Sequence, residues 1–151
     1  MKRFALVTGA SSGIGLQICH SLARRGYNII LTSRSENKLK TISEEINSKH
    51  GVETTYFSCD LAEKQGPQNI YNFCESKNFQ VDVLVNNAGY ALPDAFEKNS
   101  VDDEENCIRV LGTSVISLTK LFVRDMIKNN HGKIMIVSSV AAFAPPAAIQ
   151  V

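Results

Sequence analysis

The segment that most constrains this chain is the run Thr8, Gly9, Ala10, Ser11, Ser12, Gly13, Ile14, Gly15, which joins a short apolar stretch to a helical pattern. Glycines crowd such a junction for physical reasons. One serves a tight turn at Gly9, one lets backbone approach a bound phosphate near Gly13, and one packs helix on sheet at Gly15, with the helix N-terminus facing negative charge. A turn of this kind, placed after a buried strand and opening an amphipathic helix, selects a dinucleotide as its ligand. A glycine-rich loop without a ligand is the alternative, and the strand and helix on either side weigh against it.

The rest of the chain repeats the alternation. Apolar runs at residues 4–7, 28–32, 53–58, 81–86 and 133–137 have the uninterrupted hydrophobicity of strands buried on both faces of a parallel sheet. Helical spacing follows in Ile14, Ile18 and Leu22, then Leu39, Ile42 and Ile46, then Ile70, Phe73 and Cys74. The longest helix opens with Ser100 and Asp103 at capping-box spacing and carries Ile108, Leu111, Val115, Leu118, Phe122 and Met126 along one face. It ends near residues 130–132. Strand and helix in regular alternation, joined by right-handed crossovers, predict an α/β fold: a Rossmann-like, doubly wound parallel sheet in a three-layer α/β/α stack, with the first strand central. A chain of 151 residues forms one such domain, residues 1–151.

Composition narrows the functional classes. A formal net charge of +1, with lysines and arginines scattered, supplies no basic stripe for a phosphate backbone and argues against nucleic acid as a partner. Cys19, Cys59, Cys74 and Cys107 form no C-x-x-C pair, so neither a metal site nor a redox dithiol is expected, and free thiols suit a reducing, cytoplasmic setting. The N-terminal apolar stretch is too short and glycine-interrupted for a secretory signal. Residues 134–151 carry no charge, but Ser138, Ser139, Pro145, Pro146 and Gln150 point to a buried strand and a Pro-rich loop rather than a membrane span.

The turn T-G-A-S-S-G-I-G resembles the glycine motif of the short-chain dehydrogenase/reductase family. Asn86, Asn87, Ala88 and Gly89, directly after the fourth strand, resemble that family's N-N-A-G signature, and Ser139 after the fifth strand matches its catalytic serine. The resemblance covers residues 2–151 and implies a nicotinamide cofactor held by Thr8, Gly9, Ser11, Ser12, Gly13, Ile14, Gly15, Asn87, Ala88 and Gly89. Asn86 and Asn87 could also serve as strand-end residues that hold backbone groups, and Ser139 as a loop cap. At the end of the second strand Ser33 stands where NAD-selective relatives carry an aspartate. Arg34 follows it with a fork suited to a 2′-phosphate. NADP is therefore expected over NAD, with a solvated surface role for Arg34 as the alternative. Asp60, followed by Leu61, resembles the family's adenine contact and could equally cap the next helix.

The resemblance further implies hydride transfer between the nicotinamide and a small-molecule carbonyl or alcohol. A tyrosine, with a lysine four residues later, serves there as general acid or base. That Tyr-x-x-x-Lys pair is absent from these 151 residues, and Tyr71 and Tyr90 lie in the wrong segments to replace it. Leu111 occupies the position of the family's asparagine. The expectation is a cofactor-binding portion of an NADP-dependent oxidoreductase, lacking the C-terminal strands, inactive as written, and oligomeric only in a longer parent. A non-catalytic dinucleotide-binding module is the alternative.

Overall fold

The computed structural model describes residues 2–92 and 96–143. Pro93, which borders the expected site, and the later part of the uncharged tail with Pro145, Pro146 and Gln150 lie outside the described residues.

Each apolar run folds as a strand: β1 Phe4–Thr8, β2 Asn28–Ser33, β3 Thr54–Ser58, β4 Val81–Asn86 and β5 Lys133–Ile136. The strands are parallel and lie in the order β3-β2-β1-β4-β5. β1 is central, with Val7 paired to Leu31 on one side and Val85 on the other. The chain steps outward from β1 to β3, then crosses back to β4. The C-terminal ends of β1 and β4 therefore form the switch point where a doubly wound sheet opens a crevice.

Alternate strand residues feed two cores. Helices α1 Gly13–Ala23 and α2 Glu36–His50 cover Ala5, Val7, Ile29 and Leu31 on one face. Helix α3 Gly66–Ser76 and a continuous run made of α4 Val101–Ile108, a π-helical turn Arg109–Thr113 and α5 Ser114–Lys128 cover Phe4, Leu6, Ile30 and Leu84 on the other. Helices on both faces of the parallel sheet make this the three-layer, Rossmann-like fold expected from the sequence. The run Val101–Lys128 is long and apolar enough to cross a membrane by length and composition. In the fold, Leu118, Phe122 and Met126 pack one face of it into the core beside the sheet, each burial contributing roughly 1.5–3 kcal/mol.

Two helix faces differ from the periodicity. Along α1 the buried residues are Gly15, Cys19, His20 and Ala23, while Ile14 is exposed and Ile18 and Leu22 pack only at the margin. Small residues face the sheet because the helix lies close to it. In the long run, Ser100 caps as expected, its Oγ accepting the Asp103 N–H at 3.1 Å. The inward positions are then Cys107, Val110, Ser114, Leu118, Phe122 and Met126, and Ile108 and Leu111 face outward. The π turn Arg109–Thr113 is the cause, because its wider winding shifts the phase of every residue before it relative to those after. The Ser114 hydroxyl donates to the Val110 carbonyl at 2.8 Å across this turn.

Candidate cofactor-binding site

The glycine turn is built as its residue types require. Gly9 (φ +65°) and Gly13 (φ +54°) adopt left-handed backbone, which a side chain would strain. A Cβ at Gly9 would stand 2.9 Å from the Ala88 Cα, whereas one at Gly13 would meet nothing within 4 Å. The first position is closed by protein and the second is open. A Cβ at Gly15 would collide with the Gly9 carbonyl oxygen and lie 2.5 Å from Asn87 Nδ2, so this glycine sets how closely α1 approaches the sheet.

Helix α1 begins without the usual side-chain cap. Ser12 occupies the N-cap position in extended backbone, its hydroxyl caps no amide, and the first turn holds no acidic residue. The leading amides of an eleven-residue helix are left for another acceptor, beside exposed Ser12 and Ile14 and half-buried Ser11. The positive end of the helix and the open space at Gly13 fit a pyrophosphate.

Thr8 and Asn87 brace this turn from β4. The Thr8 Oγ1 accepts the N–H groups of Asn87 and Ala88, both at 2.9 Å. In return Asn87 Nδ2 donates to the carbonyls of Thr8 at 2.9 Å and Gly9 at 3.3 Å. Asn86 points the other way, buried, with its Nδ2 donating to Thr119 Oγ1 at 3.3 Å. Asn87, Ala88 and Gly89 therefore line the crevice while Asn86 anchors α5. Leu111, which the resemblance puts at the family's asparagine position and the periodicity puts on the core face, reaches this edge. Its Cδ2 lies 2.8 Å from where a Cβ on Gly89 would stand, and the residue is 41% exposed. The π turn carries it there, and no periodic pattern signals such a turn.

The ends of β2 and β3 form a second part of the site. Ser33 Oγ accepts the Ser35 N–H at 3.3 Å, and the Ser58 hydroxyl donates to the Arg34 carbonyl at 3.0 Å. A groove of about 410 Å³ is lined by Arg34, Phe57, Ser58, Cys59, Asp60 and Glu63 among others. Asp60 Oδ1 accepts the Ala62 N–H at 2.9 Å. Since α3 starts only at Gly66, Asp60 caps the turn before that helix and not the helix itself. Leu61 belongs to the core. Burial, then Glu63 and Asp60, push the Cys59 thiol up to about 11, which keeps it neutral and unreactive.

Ser139 stands beyond β5, whose end is tied to β4 by the Val137 N–H donating to the Asn86 carbonyl at 2.9 Å. Its Oγ accepts the Ala141 N–H at 3.1 Å, capping the short turn Val140–Ala142, and the residue is exposed. Neither tyrosine excluded from the sequence is poised as a general acid. Burial and a 2.8 Å hydrogen bond to Asp125 raise Tyr71 to about 12, and burial, then Cys107, also raises Tyr90. Among the described residues no three His, Cys, Asp or Glu side chains converge as a metal site.

The site thus offers an anion seat at α1, a braced β4 end, and a groove beside an exposed arginine. Comparison with known proteins identifies the family and the fold. The chain is 37% identical over 151 residues to the very-long-chain 3-oxoacyl-CoA reductase-B of Danio rerio, covering 96% of this chain and 47% of that protein. It is 34% identical over 145 residues to a 3-oxoacyl-(acyl-carrier-protein) reductase of Aquifex aeolicus, covering 93% and 57%. The chain therefore spans about half the length of these curated relatives. Among solved structures, L-sorbose reductase from Gluconobacter frateurii, complexed with NADPH and L-sorbose, superposes with a TM-score of 0.92 at 26% identity, over 98% of this chain and 56% of that one. The profile of the short chain dehydrogenases matches residues 3–151, and the chain belongs to that family of oxidoreductases.

Proposed function

We propose that these residues form the cofactor-binding part of an NADP-dependent oxidoreductase acting on a small carbonyl or alcohol. One observation carries the reading: an uncapped α1 N-terminus opens at Gly13 on the same sheet edge as the exposed cation of Arg34. The NADPH complex of the sorbose reductase supports the choice of cofactor.

When bound, NADPH supplies a hydride to the carbonyl carbon. The α1 amides, with Ser11 and Ser12, hold the pyrophosphate. Ser33 and Arg34 take the 2′-phosphate, and Asp60 with the Leu61 backbone faces the adenine. Asn87, Ala88 and Gly89 border the nicotinamide side. The Ser139 hydroxyl donates to the substrate carbonyl oxygen and orients it. Neither Tyr71, bonded to Asp125, nor Tyr90, beside Arg34, is followed four residues later by a lysine, so no Tyr-x-x-x-Lys pair for proton delivery occurs in these 151 residues. Binding without turnover is the expected behaviour of the 151 residues. Leu111 against Gly89 also favours a second reading, a dinucleotide-binding module without chemistry, since an apolar side chain stands where the family's polar one would be.

Titration with NADPH and, separately, NADH tests the reading. At a hundredfold excess over Kd, NADPH should stabilise the protein by about 2.7 kcal/mol, or roughly 5–10 °C in Tm, and NADH by less. Equal shifts would remove the NADP assignment, and no shift would remove the cofactor site. The 3-oxoacyl reductases among the relatives make a 3-oxoacyl thioester the first substrate class to offer a longer protein carrying these residues.

A further inference from the structure

We propose that Tyr90 is a specificity-determining positioning residue: its ring holds the Arg34 guanidinium over the cofactor crevice and away from nearby carboxylates, so that the charge stays available to a 2′-phosphate. The proposal rests on the NADP reading and adds to it a residue from a different strand end.

Arg34 follows β2 and Tyr90 follows β4, and β1 lies between those strands. The contact between them therefore spans the crevice above the glycine turn. The Arg34 Cζ is 6.0 Å from the Tyr90 ring centroid, at the outer reach of the attraction between a ring face and a weakly hydrated guanidinium. Among the described residues Arg34 forms no ion pair, although Asp60 and Glu63 line the same groove. A long, flexible arginine could pair with either carboxylate. Doing so would cancel the charge that separates a 2′-phosphate from a 2′-hydroxyl. An aromatic face instead directs the cation without neutralising it.

Tyr90 is itself held in place. Its backbone follows the residues that Thr8 ties to β1 and its carbonyl accepts the Cys107 thiol of α4 at 3.7 Å, so an anchored backbone carries an exposed side chain to Arg34.

The 151-residue protein and its Tyr90→Leu and Tyr90→Phe variants should be titrated with NADPH and NADH by nicotinamide fluorescence. Tyr90→Leu is expected to weaken NADPH about three- to fivefold, the size of an exposed cation–π contact, with NADH unchanged within about twofold. Tyr90→Phe keeps the ring and should keep the ratio. Adding Tyr90→Leu to Arg34→Ala should change the ratio no further, since the two residues then act as one unit. A Tyr90→Leu protein with unaltered selectivity, or one that loses both cofactors equally, overturns the positioning role and leaves the NADP reading standing. An unsubstituted protein that binds neither cofactor, or both alike, removes that reading and the proposal together.

Discussion

The Thr8 hydroxyl uses its full hydrogen-bonding capacity at the centre of the sheet. It donates to the Val85 carbonyl at 3.3 Å and accepts the N–H groups of Asn87 and Ala88, one donor and two lone pairs all engaged. Thr8→Val keeps the shape and removes all three bonds. With the residue only 1% exposed, each orphaned amide should cost about 1–3 kcal/mol, read by chemical denaturation. A loss under about 0.5 kcal/mol would show that water or a backbone shift replaces the hydroxyl. At this scale the glycines were legible in the sequence, because positive φ and close approach leave few other residue types possible. Thr8 was legible as part of the turn, but its partners were not. The resemblance put Leu111 at the family's asparagine position, but periodicity put it on the core face, since its reach to Gly89 depends on a winding defect rather than on residue type.

Among the elements, the long helical run shows where periodicity fails. Leu118, Phe122 and Met126 turn inward as the pattern predicts, while upstream of the π turn the inward positions pass to Cys107 and Val110. One widened turn is enough to rotate the earlier stretch away from its expected face. The pairing of α1 with α2 was equally hidden. His20 Nδ1 lies 3.0 Å from His50 Nε2, and His20 Nε2 lies 3.7 Å from Glu45. Two facing ring nitrogens share one proton, so protonating both rings sets N–H against N–H. Around His50 stand His20 of α1, Arg24 directly after that helix, and Glu45 and Lys49 of α2. Partial burial, His20, Lys49 and Arg24 lower its pKa from the usual 6.5, against the opposing pull of Glu45. The adjoining strands β2 and β3 bring no acid or base except the phenol of Tyr56. A depressed folded pKa means that this contribution to stability is complete above the unfolded value near 6.5 and is lost as pH falls through the lower folded value. Thermal melting between about pH 7.5 and 5.5 should therefore show a fall in Tm that His50→Gln reduces, given a normal histidine pKa near 6.5. An identical pH profile in both proteins would mean that the helix seam does not carry the titration.

For the whole molecule, the uneven cover of the sheet decides behaviour in solution. β1 and β4 are wholly buried, β3 is half-buried, and every residue of β5 is exposed. Among the described residues, Ile134, Met135 and Ile136 thus present an apolar strand whose one neighbour is β4. Such a strand invites association between copies. Met135→Lys should lower concentration-dependent light scattering while changing unfolding free energy by no more than about 0.5 kcal/mol, as at other surface positions. Scattering that does not respond would place the association on another surface. Read alone, the sequence settled the alternation of strands and helices, the central first strand and the glycine turn. These follow from turn chemistry and from periodicity among neighbours along the chain, and both are local. The family came from the resemblance of its motifs. Only the tertiary structure decided that α1 packs through small residues, that a π turn re-aims the long helix, that Thr8 meets Asn87 across 79 positions, and that Arg34 meets Tyr90 over the crevice. Contacts between distant segments depend on how closely the layers approach and on how each helix is wound. No local pattern encodes those distances.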